Sequence, residues 1–411
     1  MIKAVIIAGG NGVRMQPLTL TRPKPLLKVA NKTILEHNLN QLQGLIEEVI
    51  IVIGCRGDMI QSLIGDSYGG IKVNYVVQEF QLGTGDAAKK AAHIIDDKFL
   101  LMNGDDVYFR EDIKNCLKKH PSILLGAVNN PSSFGVVECQ DDFVKSIIEK
   151  PENPSASSLV NTGLYFLNKS IFDFKIEKSS RGEFEFTDYI HALIAEQKLY
   201  FTTTYKWKPV SYPWNLLEVN DSMAEGTKRA LKGKIEKGCV IIGNVEVKPG
   251  ALIKAGTRIE GPVQIGARTT IGPNAFIRGN TIIGEDCRIG AGVEIKSSVI
   301  NNGVNIAHLT YIGDTIIGED CNIGGGTIIA NFRLDKANVK VEVKGKKIDS
   351  GRMKLGAVLG DRVNIGVNCS LMPGTMIGND SSIGPASIVK GSIEPNTTVS
   401  NRFEQIIKKN E

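Results

Sequence analysis

Cysteine is sparse and scattered. The seven cysteines, at 55, 116, 139, 239, 287, 321 and 369, share no CxxC spacing, which excludes a zinc ribbon and a disulfide framework and fits a reducing cytoplasm. Long apolar runs are missing too. None approaches the roughly 20 residues of a membrane span, and the chain opens on a short strand-like Ala4-Val-Ile-Ile-Ala8 followed by glycines, not on an apolar leader. Nor does one sign of charge dominate. A net charge of +5 over 411 residues, with 42% hydrophobic and 23% charged residues, is ordinary for a globular protein and demands neither nucleic acid nor membrane. The clusters Lys344-Gly-Lys-Lys347 and Lys408-Lys409 read as solvated charge.

What the chain has instead is a ladder of aliphatic residues spaced six apart: Ile241, Val247, Ile253, Ile259, Ile265, Ile271, Ile277, Ile283, Ile289 and Ile295. The phase slips, then resumes at Ile300, Ile306 and Ile312, slips again to Ile317, Ile323 and Ile329, and returns from Leu359 to Val389. Six is neither the strand nor the helix period, so a repeat this long predicts a solenoid in which each short strand buries its aliphatic on the next coil. Glycine often follows the aliphatic, as in Ile265-Gly266 and Ile377-Gly378, where a tight corner suits it. Hexads of this kind resemble the hexapeptide-repeat family. That resemblance implies a left-handed parallel β-helix, often an oligomerisation spine, and here a homotrimer.

A chain of this length exceeds a single ordinary core. The expected domains are 1–231, with a linker helix from 214 to about 231, and 232–411. In the first, apolar strands at 3–8, 48–53, 72–77 and 98–102 alternate with helical stretches, and Thr33-Ile-Leu-Glu36 reads as a capping box. Such alternation predicts a mostly parallel α/β sheet whose ligands bind beyond the carboxyl ends of the strands. The glycine turn Ala8-Gly-Gly-Asn-Gly-Val-Arg14 falls at such an end. It lets backbone N–H groups approach phosphate, though by itself it is equally compatible with a plain tight turn.

Its continuation through Arg22-Pro-Lys-Pro-Leu-Leu27 closely resembles the signature loop of sugar-1-phosphate nucleotidylyltransferases, which have a Rossmann-like fold. The resemblance implies that Ala8, Gly9, Gly10, Gly12 and Arg14 cradle a nucleoside triphosphate and that Lys24 meets phosphate. Gln78-Glu-Phe-Gln-Leu-Gly-Thr-Gly-Asp86 is similar to the family's base-reading segment, with Gln78, Gly83 and Thr84 on a uracil or thymine ring. Asn103-Gly-Asp-Asp106 places Asp105 where the family has a Mg²⁺ ligand. Phe134-Gly-Val-Val137, Ile148-Glu-Lys-Pro151 and Val160-Asn-Thr-Gly-Leu-Tyr165 match the sugar-phosphate side and imply contacts from Gly135, Glu149, Lys150 and Asn161. One departure stands out: Pro209 occupies the position of an expected second acidic metal ligand, leaving Ser211, Asn215 or water as substitutes.

The middle of the ladder carries ionisable residues that a structural spine does not need. Ile306-Ala-His-Leu-Thr-Tyr-Ile-Gly-Asp314, with Cys321-Asn-Ile-Gly-Gly-Gly-Thr327 and Asn331, resembles the acetyltransferase half of bifunctional N-acetylglucosamine-1-phosphate uridyltransferases. The spacing from Arg278 through Lys296, His308, Tyr311, Asn322 and Asn331 fits that family without a gap. The resemblance implies His308 as general base, a residue type that titrates near neutrality. It implies Arg278, Lys296, Tyr311, Asn322 and Asn331 on an amino-sugar phosphate, and Gly325 N–H toward acetyl-CoA. Phe332 replaces the family's tyrosine. A lysine-rich insertion at about 333–354 breaks the hexads, with Lys336 or Lys340 as candidates to reach phosphate.

The expected function is therefore acetyl-CoA-dependent acetylation of glucosamine 1-phosphate followed by uridylyl transfer from UTP, or dTTP, giving UDP-N-acetylglucosamine. Two alternatives stay open at this point. One is a single-activity nucleotidylyltransferase with an inert β-helix; the other is a non-enzymatic regulatory subunit built on the same domains.

Overall fold

The computed structural model describes residues 2–128, 130–155, 158–404 and 407; the pair Lys408-Lys409 lies outside them. The chain divides into two compact units. One comprises Met1–Gly12, Arg22–Leu27 and Lys32–Val210, and the other Val13–Thr21, Lys28–Asn31 and Ser211–Glu411. No helix among the described residues is long and apolar enough to cross a membrane.

The first unit is built on a ten-stranded sheet. Strand Lys3–Ile7 pairs in parallel with Glu48–Ile53 on one side and Lys98–Asn103 on the other, and Glu48–Ile53 pairs in parallel with Ile71–Val77. All four strands therefore end at one edge. Lys3–Ile7, Glu48–Ile53 and Lys98–Asn103 are largely buried on both faces, which is why they read as continuous aliphatic runs and not as alternating ones, whereas Ile71–Val77, nearer the sheet edge, leaves Lys72 and Val77 exposed. Helix Ile34–Leu42 starts at the expected capping box: Thr33 accepts from the Glu36 N–H while the Glu36 carboxylate takes the Thr33 N–H. Helix Thr84–Lys90 stops short of the helix expected over 84–95 and gives way to turns. The long strand Leu159–Asn168 runs antiparallel to Lys98–Asn103, and this carries the sugar-side motif alongside Asn103 and Asp105.

The second unit contains three parallel sheets of nine, nine and eight short strands, visited in turn by the chain. This is a left-handed parallel β-helix. The ladder residues from Val247 onward line its interior as one continuous core, each at most 3% exposed, and each fully buried isoleucine contributes about 1.5–3 kcal/mol. The two slips of phase are shortened coils. Ile253 stacks on Ile271, an offset of 18, whereas Ile289 stacks on Ile306 and Ile306 on Ile323, an offset of 17. The longer gap, in which Ile317 stacks on Leu359, is a loop carrying the hairpin Lys340–Val343 and Lys346–Asp349. The helix expected from 214 to about 231 spans Asn215–Ala224, and Ala230–Leu231 already forms the first strand of the β-helix. Contacts that join the short segments of this unit to its coils include Thr21 Oγ donating to Asp361 at 2.5 Å, Lys28 pairing with Glu319 at 3.1 Å, and Asn31 Nδ2 donating to the Ile283 carbonyl.

Candidate active sites

In the first unit, the ends of the four parallel strands converge. Ala8 N–H donates to Val52 O, Gly104 N–H to Ile7 O and Gln78 N–H to Ile53 O, each at 2.8 Å. The backbone packs closely here: a Cβ on Gly9 would meet Gln78 Oε1 at 3.2 Å, and one on the neighbouring Gly54 would clash with Gly9 O at 2.5 Å. Gln78 is nearly buried, and its Nε2 donates to Asp86 at 2.8 Å and to Gly83 O at 3.1 Å. Because a carboxylate only accepts, Asp86 fixes the amide's orientation and turns Oε1 toward the glycine turn. Asp86 carried no assigned role in the sequence; its only signal was its place at the end of the base-reading segment. Gly83 sits at φ +113°, where a Cβ would fall 2.4 Å from Phe184 O, and Thr84 Oγ accepts from the Phe186 N–H.

Lys24 is buried and its ammonium pairs with Asp105 at 2.7 Å, so the expected phosphate contact and the expected metal ligand stand side by side. Asp106, next in sequence, faces inward and accepts from the Val210 N–H, while Val107 and Lys208 bridge. Pro209 therefore lies beside the Asp105-Asp106 turn. Of the substitutes for a second ligand, Asn215 has its Oδ1 engaged by the N–H groups of Ser211 and Tyr212 in the second unit. Arg14 also belongs to that unit, with its guanidinium 5.7 Å over the Tyr212 ring.

Gly135, Glu149 and Asn161 come together: Gly135 and Glu149 are register partners, and a Cβ on Gly135 would lie 3.1 Å from Glu149 Oε2 and 3.5 Å from Asn161 Cβ. Glu149 pairs with Lys150 at 3.2 Å and with Arg181 at 3.5 Å. Arg181 lies far along the chain from the motif, and no sequence signal singled it out. Asn161 Nδ2 donates to the Tyr165 hydroxyl, a phenol whose pKa burial drives upward, so it stays neutral.

In the second unit, Arg278, Lys296 and Gly313 stack in register on one face, with Glu294 and Tyr311 adjoining. Arg278 makes a paired contact with Glu294 at 2.7 and 2.9 Å. Asp314 is almost fully buried; its Oδ2 accepts from Asn331 Nδ2 at 2.6 Å and stands 3.9 Å from Lys296. Asn331 Nδ2 also reaches the Tyr311 hydroxyl at 3.4 Å. Burial raises the pKa of that phenol, helped by Asp314 and Glu294 and opposed by Arg278. On the adjacent face His308 ends the strand Asn305–His308, exposed, and its ring lies against Gly325, where a Cβ would meet the imidazole at 2.5 Å. Asn322 accepts from Asn305 on that same face. Lys336 and Lys340 are exposed on the insertion.

Residues 3–226 match the Nucleotidyl transferase family, 259–364 the GMPPB C-terminal domain and 356–385 the hexapeptide repeat of succinyl-transferase. A protein named bifunctional protein GlmU from Methanococcus vannielii is 40% identical over 99% of both chains. The chain belongs to the bifunctional GlmU family. Another full-length relative, from Sulfurisphaera tokodaii, is named a bifunctional sugar-1-phosphate nucleotidylyltransferase/acetyltransferase, is 38% identical, and is matched over 95% of this chain and 98% of its own. A solved glucose-1-phosphate thymidylyltransferase from Bacillus anthracis aligns with 56% of this chain and 98% of its own, at 26% identity and a TM-score of 0.50. Membership in the GlmU family makes this protein an enzyme with a nucleotidylyltransferase and an acetyltransferase activity. It removes the inert-spine and regulatory-subunit alternatives.

Proposed function

We propose that the enzyme acetylates glucosamine 1-phosphate with acetyl-CoA and then converts the N-acetylated sugar phosphate and UTP to UDP-N-acetylglucosamine and pyrophosphate. The observation that carries the first step is the exposed His308 imidazole seated on Gly325, one face away from the Lys296, Asp314, Asn331 and Tyr311 cluster. The sugar's amine nitrogen attacks the thioester carbonyl carbon, a C–N bond forms, and His308 takes the proton that nitrogen must lose. Gly325 N–H supports the oxyanion. The C–S bond then breaks, and the proton passes to the departing thiolate. Arg278 and Lys296 hold the sugar phosphate, with Tyr311, Asn322 and Asn331 as polar contacts.

In uridylyl transfer a phosphate oxygen of the acetylated sugar attacks the α-phosphorus of UTP and pyrophosphate leaves. No protein nucleophile is required, so positioning and charge neutralisation carry the catalysis. Gln78, with Gly83 and Thr84, reads the pyrimidine; Ala8, Gly9, Gly10, Gly12, Arg14 and Lys24 attend the phosphates; Gly135, Glu149, Lys150 and Asn161 hold the sugar. Among the described residues no group of three or more His, Cys, Asp or Glu forms a metal cage. A single carboxylate such as Asp105 instead fits Mg²⁺, which keeps waters and substrate phosphates as its other ligands. Bound there, Mg²⁺ would neutralise triphosphate charge. The solenoid supports a homotrimer, and apolar residues left exposed on its third sheet, Ile328 and Ile388, favour a face covered by another copy.

The deciding experiment is a matrix of UTP and dTTP against glucosamine, galactosamine and glucose 1-phosphates, with and without acetyl-CoA, reading thiol and pyrophosphate release. UTP with glucosamine 1-phosphate should give pyrophosphate efficiently only when acetyl-CoA is present. Turnover confined to another sugar phosphate, or indifferent to acetyl-CoA, would refute the assignment.

A further inference from the structure

The insertion leaves the β-helix after Asn331 and rejoins it at Leu355, and its two ends are tied together. Leu355 N–H donates to Asn331 O at 2.9 Å, and Phe332 bridges to Lys354. Just before the rejoining point stands Arg352, held by a bond from Val339 N–H to its carbonyl and by its own Nε on Lys354 O. Its guanidinium, mostly shielded from solvent, reaches 3.7 Å from Asp314 Oδ1. The buried Asp314 carboxylate is thus flanked by two cations, Arg352 on one oxygen and Lys296 on the other at 3.9 Å. Both are too distant for a hydrogen bond; the one short bond comes from Asn331 at 2.6 Å. The division of labour is physical. The cations make a buried charge tolerable, and the charge, being acceptor-only, fixes the Asn331 amide with its Nδ2 inward and its carbonyl oxygen turned away from Asp314.

We propose that Arg352 is a positioning residue of the acetyl-transfer site, acting through Asp314 to orient Asn331 and Tyr311 toward the amino sugar. Supporting this, Arg352 also acts on the carboxyl of Asp221, which is bonded to Asn280 and whose pKa burial raises. One guanidinium from the insertion therefore acts on the buried Asp314 and on the half-buried Asp221. The lysines of the same insertion, Lys336 and Lys340, are exposed and have no such setting.

The inference rests on the acetyl-transfer site described above, and the test separates the two. Arg352→Ala should lower kcat for thiol release about tenfold, as expected for a misaligned polar contact, with KM for acetyl-CoA and the rate of uridylyl transfer from N-acetylglucosamine 1-phosphate unchanged. Arg352→Lys should recover much of the loss and Arg352→Gln little, since charge is what Asp314 needs; this pair also serves if the alanine variant does not fold. In an Asp314→Asn background, Arg352→Ala should have no further effect, the non-additivity of residues acting as one unit. Wild-type kinetics in Arg352→Ala and Arg352→Gln, or an undiminished loss in the Asp314→Asn background, would overturn the proposal. His308→Ala is measured alongside. If it retains full acetyl transfer, the site assignment itself fails; if it is inactive while the Arg352 variants are normal, only the present proposal fails.

Discussion

Gly325→Ala isolates the geometry of the proposed general base, because the perturbation is one methyl group aimed at one ring. The added Cβ would stand 2.5 Å from His308 Cδ2 and 2.6 Å from Nε2. Non-bonded carbon atoms settle at about 3.5–4.0 Å, so the imidazole must withdraw by roughly 1 Å. A displacement of that size from a reactive geometry costs on the order of 10² in rate, or about 2.7 kcal/mol of barrier. Complete removal of a general base costs about 10² to 10⁴, so Gly325→Ala should approach His308→Ala without exceeding it. The fold should tolerate the change: Gly325, unlike Gly326 at φ +76°, is outside the left-handed region, and the ring it displaces is exposed. The assay is thiol release from acetyl-CoA with glucosamine 1-phosphate, with pyrophosphate release from UTP and N-acetylglucosamine 1-phosphate as the internal control. The first should fall about a hundredfold and the second stay at wild type. An unchanged rate of thiol release would show that the position of His308 is immaterial to acetyl transfer.

Further expectations concern the first unit and the assembly. Asp86→Ala and Gln78→Ala should each raise KM for UTP, the former by about three- to tenfold for one lost hydrogen bond, with acetyl transfer untouched; equal loss of both activities would point to general damage instead. Asp105→Asn should nearly abolish pyrophosphate release while preserving the fold, and Pro209→Asp, beside the same turn, should lower the Mg²⁺ concentration needed for half-maximal rate; a fully active Asp105→Asn would end the metal assignment. Gly163→Ala, at φ +79° and with its Cβ 2.2 Å from Asn103 Nδ2, should cost at least about 1–2 kcal/mol of stability from the backbone alone, read as a lower melting temperature and a depressed uridylyl transfer. Light scattering should return three times the chain mass of 44.6 kDa; a monomer at working concentration would refute the homotrimer.

The features legible in the sequence are those whose cause is local or repeated. The hexad ladder named its own buried residues because every coil imposes the same demand, one aliphatic inward per short strand, and Ile253, Ile271 and Ile289 answer it in order. The capping box at Thr33 and Glu36 spans a single turn. The glycine turn after the first strand and Asp105 after Lys98–Asn103 were placed at one sheet edge by the direction of parallel strands alone. The tertiary structure decided the partners. Lys24 and Asp105 are 81 positions apart, and Arg181 reaches Glu149 from a separate segment. Arg352 meets Asp314 only because the insertion closes on itself between Asn331 and Leu355. The ladder's breaks showed where the period failed, but not that two of them are coils shortened to 17 residues and the third a loop bearing a hairpin. A periodic pattern reports the inward face, where packing sets the residue type. The pairing of charges depends on which coil ends at which corner, and that follows from the register of the whole stack.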